Sequence, residues 1–403
     1  MLTEKYIGLL PHQSGTPQEQ LRNCLSSLSR MTGSEKSTLR KFLKLSVFIK
    51  ARDNGEFIEI KNRLTELLDD FFGPDQPPVS FIGQPPEGNR SVALEIAMLT
   101  GAPENTHFEY KTWQGARYSV VCCGDLKEVH AGGLTDDELE KTTADLSHSA
   151  FTQMKGILDQ EGLTFSDVVR QWNTIENITS TQPHLHSLKQ NYQQFNDVRS
   201  QFYRDTEFVN GYPAATGIGA NTGGVVVEFT AVSPHEDITI LPLSNPRQID
   251  AHKYSGKVLV GPPQDDTAEK TPPKFERGKL VFHPAAGRIF VSGTAAILGQ
   301  KTVSDLDVEF QTRTTIKNIL ALVSEENIKR CGFSNQIPGL SPSHLRVYVK
   351  NEQDIGRVEE ICREYFGEVS ALFVVSDICR RELLVEIEGI WDFERMATHG
   401  GEL

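Results

Sequence analysis

Hydrophobic and polar residues in the last third of the chain alternate between two kinds of pattern. Residues 287–299 (GRIFVSGTAAILG), 345–350 (LRVYVK) and 383–390 (LLVEIEGI) are short runs rich in Val, Ile and Leu, which predict strands. Between these runs, residues 307–323 and 358–367 carry apolar side chains near helical spacing. The pattern therefore predicts the order strand, helix, strand, helix, strand.

The same order occurs twice more, so the chain contains a weak internal repeat. The first copy begins with a helix at Leu21 and continues with strands at residues 43–50 and 92–99 around a helix at 57–73. The middle copy has strands at residues 118–126, 168–178 and 223–232 and helices at 150–163 and 191–203. The first copy lacks the leading hairpin that opens the other two.

We therefore predict an α/β (α+β) fold made of three repeated units, each a sheet backed by two helices. The predicted units are residues 1–103, a truncated unit with an N-terminal extension, then residues 104–245 and residues 246–403. Residues 267–279 (TAEKTPPKFERGK) are rich in Pro, Lys and Glu and predict a mobile loop.

Composition limits the classes of function. The 403 residues carry a net charge of −13, which argues against binding to a nucleic-acid backbone. No apolar run is long enough to span a membrane, and the first residues do not resemble a secretion signal. The six cysteines show no CxxC spacing and cannot form a disulfide framework in so long a chain, so a reducing cytoplasm is the expected location.

Motifs for cofactors and metals are weak. The glycines of TGIGANTGG (residues 216–224) do not have the spacing of a dinucleotide-binding loop, and a strand follows them. His184 and His186 form an HxH pair without nearby ligand residues. We therefore predict neither a cofactor nor a metal.

Two glutamates lie within the last predicted strand. Glu386 and Glu388 share one face of LLVEIEGI because side chains alternate along a strand. A glutamate in an apolar strand is either solvated at a sheet edge or buried as a functional carboxyl group with a raised pKa. Glu95 and Glu228 look equivalent in the other two copies, which leaves a structural role open.

The order of elements resembles the RidA (YjgF) family, whose subunits form trimers with ligand sites between subunits. VFIK, FFG and LEIAML in the first copy, and VYVK, YFG and VEIEGI in the third, lie where that family has similar elements. The resemblance implies a trimer folded from one polypeptide, with three non-equivalent clefts between units and no need of a partner chain, so a monomer is expected.

Four ordered segments resemble the chorismatases more closely: YQQFNDVR (192–199), YPAATGIGA (212–220), FVSGTAAILG (290–299) and DICRRELLVEIEG (377–389). This resemblance implies a small-molecule substrate, chorismate, whose enolpyruvyl ether is cleaved to release pyruvate. It singles out Glu386 as the proton donor, with Glu388 as the alternative. Cys379 and Gly293 match the chorismatases that form 3-hydroxybenzoate, and Gly293, Ala295 and Cys379 are expected to shape the pocket around the ring.

Arginines and hydroxyl groups are the expected ligands of the substrate carboxylates. Arg199 ends YQQFNDVR and is either a carboxylate clamp or a surface residue. Arg346 and Tyr348 share one face of LRVYVK, which suits an anion pocket. The remaining candidates are the hydroxyls of Tyr212 and Thr216, the backbone N–H groups of their glycine-rich turn, and Arg380.

Three alternatives remain open at this point. A chorismatase can instead hydrolyse chorismate to a non-aromatic dihydrodiol. A RidA-like imine deaminase is disfavoured because residues 74–82, 212–220 and 368–375, where that activity relies on an arginine, contain none. A non-catalytic protein that only binds a metabolite would have the same fold. Thr174 also departs from the chorismatase pattern, in which an aromatic residue is expected.

Overall fold

The computed structural model describes residues 3–32, 42–101, 103–182, 189–256, 271–283, 286–303 and 307–394. Three sheets, each backed by helices on one face, follow one another along this part of the chain. The predicted α/β class and the repeat of a sheet backed by helices are confirmed. Among the described residues, none of the helices combines the length and hydropathy of a membrane-crossing segment.

The first sheet has four strands in the order β1-β4-β2-β3. Its elements are β1 (Thr3–Leu9), α1 (Pro17–Thr32), β2 (Phe42–Ile49), α2 (Asn54–Phe72), β3 (Val79–Ile82) and β4 (Val92–Gly101).

The second sheet has six strands in the order β5-β6-β7-β10-β8-β9. Its elements are β5 (Thr106–Trp113), β6 (Ala116–Cys123), β7 (Leu126–Leu134), α3 (Thr143–Gln160), β8 (Val168–Glu176), α4 (Asn191–Phe202), β9 (Ala214–Ala220) and β10 (Val225–Val232).

The third sheet has six strands in the order β11-β12-β13-β18-β16-β17. The elements of the unit are β11 (Thr239–Leu243), β12 (Gly278–His283), β13 (Ala286–Ala295), β14 (Ile297–Leu298), β15 (Lys301–Thr302), α5 (Val308–Leu322), α6 (Glu325–Arg330), β16 (Ser341–Val349), α7 (Ile355–Phe366), β17 (Ser370–Val375) and β18 (Val385–Glu394). Strands β14 and β15 pair with each other in a separate two-stranded sheet.

The three sheets share one topology. In each, the last strand (β4, β10 or β18) lies between an antiparallel strand on either side, and a parallel strand follows at the edge. The second and third sheets have two additional leading strands, at the place where the sequence predicts that the first copy lacks a hairpin. Because β11 pairs with β12, the third sheet begins at Thr239, N-terminal to the predicted boundary at residue 245.

Alternation along the strands separates two buried environments. On β2, Leu45, Val47 and Ile49 pack against α1 and α2 in the core of the first unit. Lys44 and Ser46, on the opposite face of β2, are also buried, because that face packs against the other units. The strands are thus buried on both faces, and the polar residues between the sheets determine how the units fit together.

Two expectations about loops were wrong. Residues 214–220, expected to form a glycine-rich turn, form strand β9, which runs parallel to β8. Of the expected mobile loop at 267–279, residues 271–279 are described; Gly278 and Lys279 begin β12, and Arg277 is only 3% exposed. His184 and His186 lie outside the described residues.

Candidate active site

One glutamate from each unit lies where the three sheets meet. Glu95, Glu228 and Glu388 occupy equivalent positions on β4, β10 and β18. Each lies opposite a residue of the neighbouring antiparallel strand, and the three opposite residues are equivalent in the repeat. These opposite residues are Ser46 for Glu95, Trp172 for Glu228 and Arg346 for Glu388. Arg346 links all three glutamates: it donates to Glu95 and lies 3.7 Å from Glu228 and 3.6 Å from Glu388.

Each of these glutamates also pairs with a basic residue of another unit, in cyclic order. Lys44 of the first unit lies 3.4 Å from Glu228 of the second. Arg170 of the second lies 2.7 Å from Glu388 of the third, and His344 of the third lies 2.9 Å from Glu95 of the first. This arrangement has the symmetry of a trimer, although one chain supplies all the residues.

Neighbouring cations lower the pKa of two of the central glutamates, Glu95 and Glu228. Burial alone raises the pKa of Glu95, but Arg346 and His344 outweigh it and hold that pKa well below its usual range. The pKa of Glu228 is also lowered, since Lys44 and Arg346 outweigh the effect of burial. Buried carboxylates paired in this way hold the units in register and are poor proton donors.

Glu386 has no counterpart in the other two units. It lies opposite Tyr348 on β16, and the equivalent positions are Ala93, opposite Phe48, and Val226, opposite Thr174. The apparent equivalence of Glu95 and Glu228 with Glu386 was therefore wrong: their counterpart is Glu388. A carboxyl group at position 386 is a property of the third unit alone.

Glu386 is buried, with 4% of its surface exposed, and faces a pocket between the second and third units. Burial, and after it the neighbouring Glu388, raise the pKa of Glu386 to about 8, although Arg277 and Arg170 oppose the shift. The group is therefore protonated at neutral pH and can serve as an acid.

The pocket combines aromatic, amide, cationic and small side chains. The second unit contributes Gln190, Tyr192, Gln193, Asn196, Ala215 and Gly217, and the third contributes Tyr254, Pro273, Phe275, Arg277, Gly293, Ala295, Ile297, Cys379, Arg380 and Glu386. The empty space, counted out to solvent, is about 720 Å³, which suits a small metabolite.

A β-bulge makes room for Glu386. The register of β13 against β18 shifts between Val291 and Thr294. Within this shift, the N–H of Gly293 donates to Thr216 Oγ1 over 3.0 Å. A Cβ atom at position 293 would lie closer than 3.0 Å to Oε1 of Glu386, so any side chain here would have to displace the carboxyl group of Glu386.

Cys379 lies in the segment after β17 and lines the pocket. Burial raises the pKa of its thiol to about 12, and the nearby Glu386 adds to the shift. Cys379 therefore remains a neutral thiol, which contributes shape and a weak hydrogen-bonding group to the pocket without acting as a thiolate nucleophile.

Two arginines supply positive charge to the pocket. Arg277 donates to the backbone oxygen of Ile249 and to the hydroxyl of Tyr254, and Arg380 donates to Gln300 and Thr302. Neither lies within ion-pair distance of a carboxylate among the described residues, so both are available to an anionic ligand. Arg277 was not predicted as a site residue, because its segment was expected to be a loop.

Five of the predicted site residues line the pocket, namely Glu386, Cys379, Gly293, Ala295 and Arg380. Five others do not, namely Arg199, Tyr212, Thr216, Arg346 and Tyr348.

Four of these five residues either bond to a residue that lines the pocket or belong to the central ion network. Arg199 is buried and donates to Asn196, whose side chain lines the pocket. The hydroxyl of Thr216 donates to Glu388 and accepts a hydrogen bond from the N–H of Gly293. Arg346 belongs to the central ion network, and Tyr348 accepts a hydrogen bond from it over 3.4 Å. A direct contact of Arg346 with an anion in the pocket is therefore excluded by its burial among three glutamates.

The cleft between the first and second units is the counterpart of this pocket. It is lined by Gly133 and Val226, which correspond to Gly293 and Glu386. Val226 cannot donate a proton, so the acid is confined to the cleft between the second and third units.

Comparisons with known proteins identify the family and the fold. Residues 109–231 match the family model described as chorismatase FkbO/Hyg5-like, N-terminal. A chorismatase of Streptomyces rapamycinicus is 34% identical over 241 residues, which are 58% of this chain and 67% of that protein. A 3-hydroxybenzoate synthase of Streptomyces hygroscopicus is 31% identical over 250 residues, covering 60% of this chain and 68% of the relative. The fold resembles a chorismatase crystal structure with a TM-score of 0.65 and 20% identity, over 96% of this chain and 98% of that one.

Proposed function

Since the chain belongs to the chorismatase family, we propose that it cleaves the enolpyruvyl ether of chorismate to pyruvate and 3-hydroxybenzoate, with Glu386 as the proton donor. The observation that carries this proposal is a buried carboxyl group, found in one unit only, whose pKa of about 8 keeps it protonated inside a pocket. The names of two relatives, a chorismatase and a 3-hydroxybenzoate synthase, support the substrate and the product.

The reaction begins with transfer of a proton to carbon. Glu386 donates its proton to the terminal methylene carbon of the enolpyruvyl group, which becomes the methyl group of pyruvate. The neighbouring ether carbon acquires oxocarbenium character, and the Glu386 carboxylate left behind stabilises this positive charge. A carboxylic acid with a pKa near 8 is suited to this role because it is protonated at neutral pH and buried beside the reacting group.

The substrate is a dianion, and the pocket has cations to bind it. Arg277 and Arg380 are proposed to hold its two carboxylates by charge-assisted hydrogen bonds. Tyr254 receives a hydrogen bond from Arg277 and lies under the guanidinium group of Arg380, so it fixes the orientation of both. Arg199 does not line the pocket itself but orients Asn196, which does.

The product depends on whether water enters the reaction. The atoms of pyruvate and 3-hydroxybenzoate add up to those of chorismate, whereas pyruvate and the dihydrodiol require one additional water molecule. Cys379 and Gly293 lie beside Glu386 in the pocket. We propose that this small, neutral wall lets the ring hydroxyl of the substrate, in place of water, bond to the activated carbon and return its proton to the Glu386 carboxylate. The ring carbon–oxygen bond of that former hydroxyl then breaks as the neighbouring ring carbon loses its proton, which makes the ring aromatic. The remaining hemiketal separates into pyruvate and 3-hydroxybenzoate.

One chain is proposed to be sufficient for activity. The residues around Glu386 all come from the second and third units of the same chain, and the equivalent cleft has Val226 in place of the acid. We therefore propose that the protein is a monomer with a single active site. We also propose that the protein is located in the cytoplasm. Light scattering coupled to size-exclusion chromatography tests the oligomeric state.

The proposed function is tested by incubating the purified protein with chorismate, assaying pyruvate and separating the aromatic products by chromatography. Pyruvate together with 3-hydroxybenzoate is the expected result. Pyruvate with the dihydrodiol would keep the ether cleavage and overturn the proposed product. A protein that releases no pyruvate, but melts at a higher temperature with chorismate, would be a binding protein, and the proposed activity would be wrong.

A further inference from the structure

A second cluster of titratable residues lies outside the pocket, where the first unit contacts the second. Glu4 on β1 faces Glu128 and His130 on β7, and none of the three lines the pocket. All three are buried, His130 completely. The proposed reaction makes no use of these residues.

The spacing of the three side chains suits a metal ion. Nε2 of His130 lies 3.8 Å from Oε1 of Glu4 and 3.5 Å from Oε2 of Glu128. Ligand atoms of a tetrahedral zinc ion, bound at about 2.0–2.1 Å, lie roughly 3.3–3.5 Å apart. The observed separations are close to this value and are too long for direct hydrogen bonds.

Two of the atoms that face each other in this cluster have no hydrogen-bonding partner. They are Nε2 of His130 and Oε2 of Glu128, both inaccessible to solvent. On the other side of the ring, Nδ1 of His130 lies 3.2 Å from the hydroxyl of Thr230. If Nδ1–H donates to that hydroxyl, as in many metal-bound histidines, the lone pair of Nε2 points at the two carboxylates. Buried polar atoms without partners are costly, which indicates a missing ligand between them.

Charge supports a divalent cation. The cation nearest to Glu4 is Arg288, which ion-pairs with Glu4 and also with Asp392, 2.9 Å away. Because Asp392 shares the charge of Arg288, this single cation does not neutralise both Glu4 and Glu128. His283, 3.6 Å from Glu128, is a further nitrogen donor at the margin of the cluster.

From these observations, we propose that Glu4, Glu128 and His130 bind one divalent first-row transition-metal ion, best matched by Zn²⁺. Carboxylate and imidazole donors suit this ion, and a solvent oxygen or His283 completes its four ligands. The ligands come from β1 and β7, so the ion fastens the first unit to the second. Its role is structural, and the site is independent of the proposed reaction.

The test uses the full-length protein, stripped of metal by a chelator and dialysed. Calorimetric titration with Zn²⁺ is expected to give one equivalent bound in the micromolar range or tighter, together with an increase in melting temperature. Glu4→Gln and Glu128→Gln should each weaken binding at least tenfold and remove the increase. His235→Asn, which removes a histidine outside the cluster, should bind Zn²⁺ as the unaltered protein does.

Two further measurements protect the test against variants that fail to fold. Thr230→Val keeps all three ligands and loses only the partner of Nδ1, so it should weaken Zn²⁺ binding about 10- to 100-fold. Co²⁺ added to the unaltered protein should produce the intense visible absorption of a tetrahedral site. Absence of saturable Zn²⁺ binding, or equal binding by the unaltered protein and both glutamine variants, would overturn the proposal.

Discussion

The carboxyl group of Glu386 fills the space that a side chain at position 293 would require. A Cβ atom on Gly293 would lie closer to Oε1 of Glu386 than real Cβ atoms approach a neighbour. The backbone N–H of Gly293 is in turn fixed by Thr216, whose hydroxyl also bonds to Glu388. The bulge, the proton donor and the central ion network therefore form one connected structure.

Replacing Gly293 by alanine should reduce activity by displacing the acid. The added methyl group forces the carboxyl of Glu386 to turn away from its present position, and a displacement of about 1 Å can cost up to about 100-fold in rate. We expect kcat for pyruvate release to fall about tenfold or more, and the share of 3-hydroxybenzoate among the products to fall with it. An alanine variant with unchanged rate and product ratio would contradict the tight fit between positions 293 and 386.

Activity should depend on pH through the protonated form of Glu386. Because the acid form is the active one, kcat/KM should be constant below the pKa and should fall as the pH rises through about 8. Glu388 contributes to the raised pKa, so Glu388→Gln should move this fall to lower pH while activity at pH 6 is largely retained.

The matched control for that shift is Glu95→Gln, which makes the same change at the equivalent position of the first unit. Its pH profile should coincide with that of the unaltered enzyme. If Glu388→Gln left the pH profile unchanged, or moved it to higher pH, the proposed effect of Glu388 on the pKa of Glu386 would be wrong.

Cys379 should influence the product more than the rate. Its pKa of about 12 keeps the thiol neutral, and it lies in the wall of the pocket with Gly293. Cys379→Ala is expected to change the ratio of 3-hydroxybenzoate to dihydrodiol, measured by chromatography, while pyruvate release stays within about threefold of normal. Cys362→Ala, at a buried cysteine of α7 remote from the pocket, should leave the ratio unchanged. An identical ratio for both variants would remove Cys379 from the control of the product.

Replacing Arg277 should affect substrate binding, whereas replacing Arg346 should affect stability, although both arginines are buried. Arg277→Gln removes a cation from the pocket, so KM for chorismate should rise at least about tenfold, as expected for a lost charge-assisted hydrogen bond. Arg346→Met leaves three central glutamates without their shared cation and should lower the free energy of unfolding by about 3–5 kcal/mol. Urea unfolding and steady-state kinetics on both variants check the distinction. A large KM effect with normal stability for Arg346→Met would return that residue to the substrate pocket.

The strands and helices of the repeat could be predicted because their apolar periods are local. For LLVEIEGI the sequence correctly predicts that Glu386 and Glu388 share one face, since alternation depends only on the strand. Through resemblance, it also places Gly293, Ala295 and Cys379 in one pocket, whereas Arg380 was only a weaker candidate that could equally lie at the surface. Residues 287–295 were likewise expected to be a strand, and they form most of β13.

The errors arise where one unit packs on another. Arg346 and Tyr348 do share a face of β16, but that face meets the glutamates of the other units, and no local pattern shows which residues face one another across sheets. Glu388, not Glu386, proved equivalent to Glu95 and Glu228, because the register between strands decides the match. Arg277 was missed since it follows a segment rich in Pro and Lys, and its burial depends on contacts with Ile249 and Tyr254.

The central claim is that Glu386 supplies the proton, and pyruvate release by Glu386→Gln tests it most directly. The amide keeps the size of the side chain but cannot act as an acid, so kcat should fall by about 10²- to 10⁴-fold with the melting temperature nearly unchanged. Glu388→Gln, measured beside it at pH 6, should retain most of its activity. If Glu386→Gln still released pyruvate at the normal rate in a folded protein, the proton would come from another group and the proposed mechanism would be wrong.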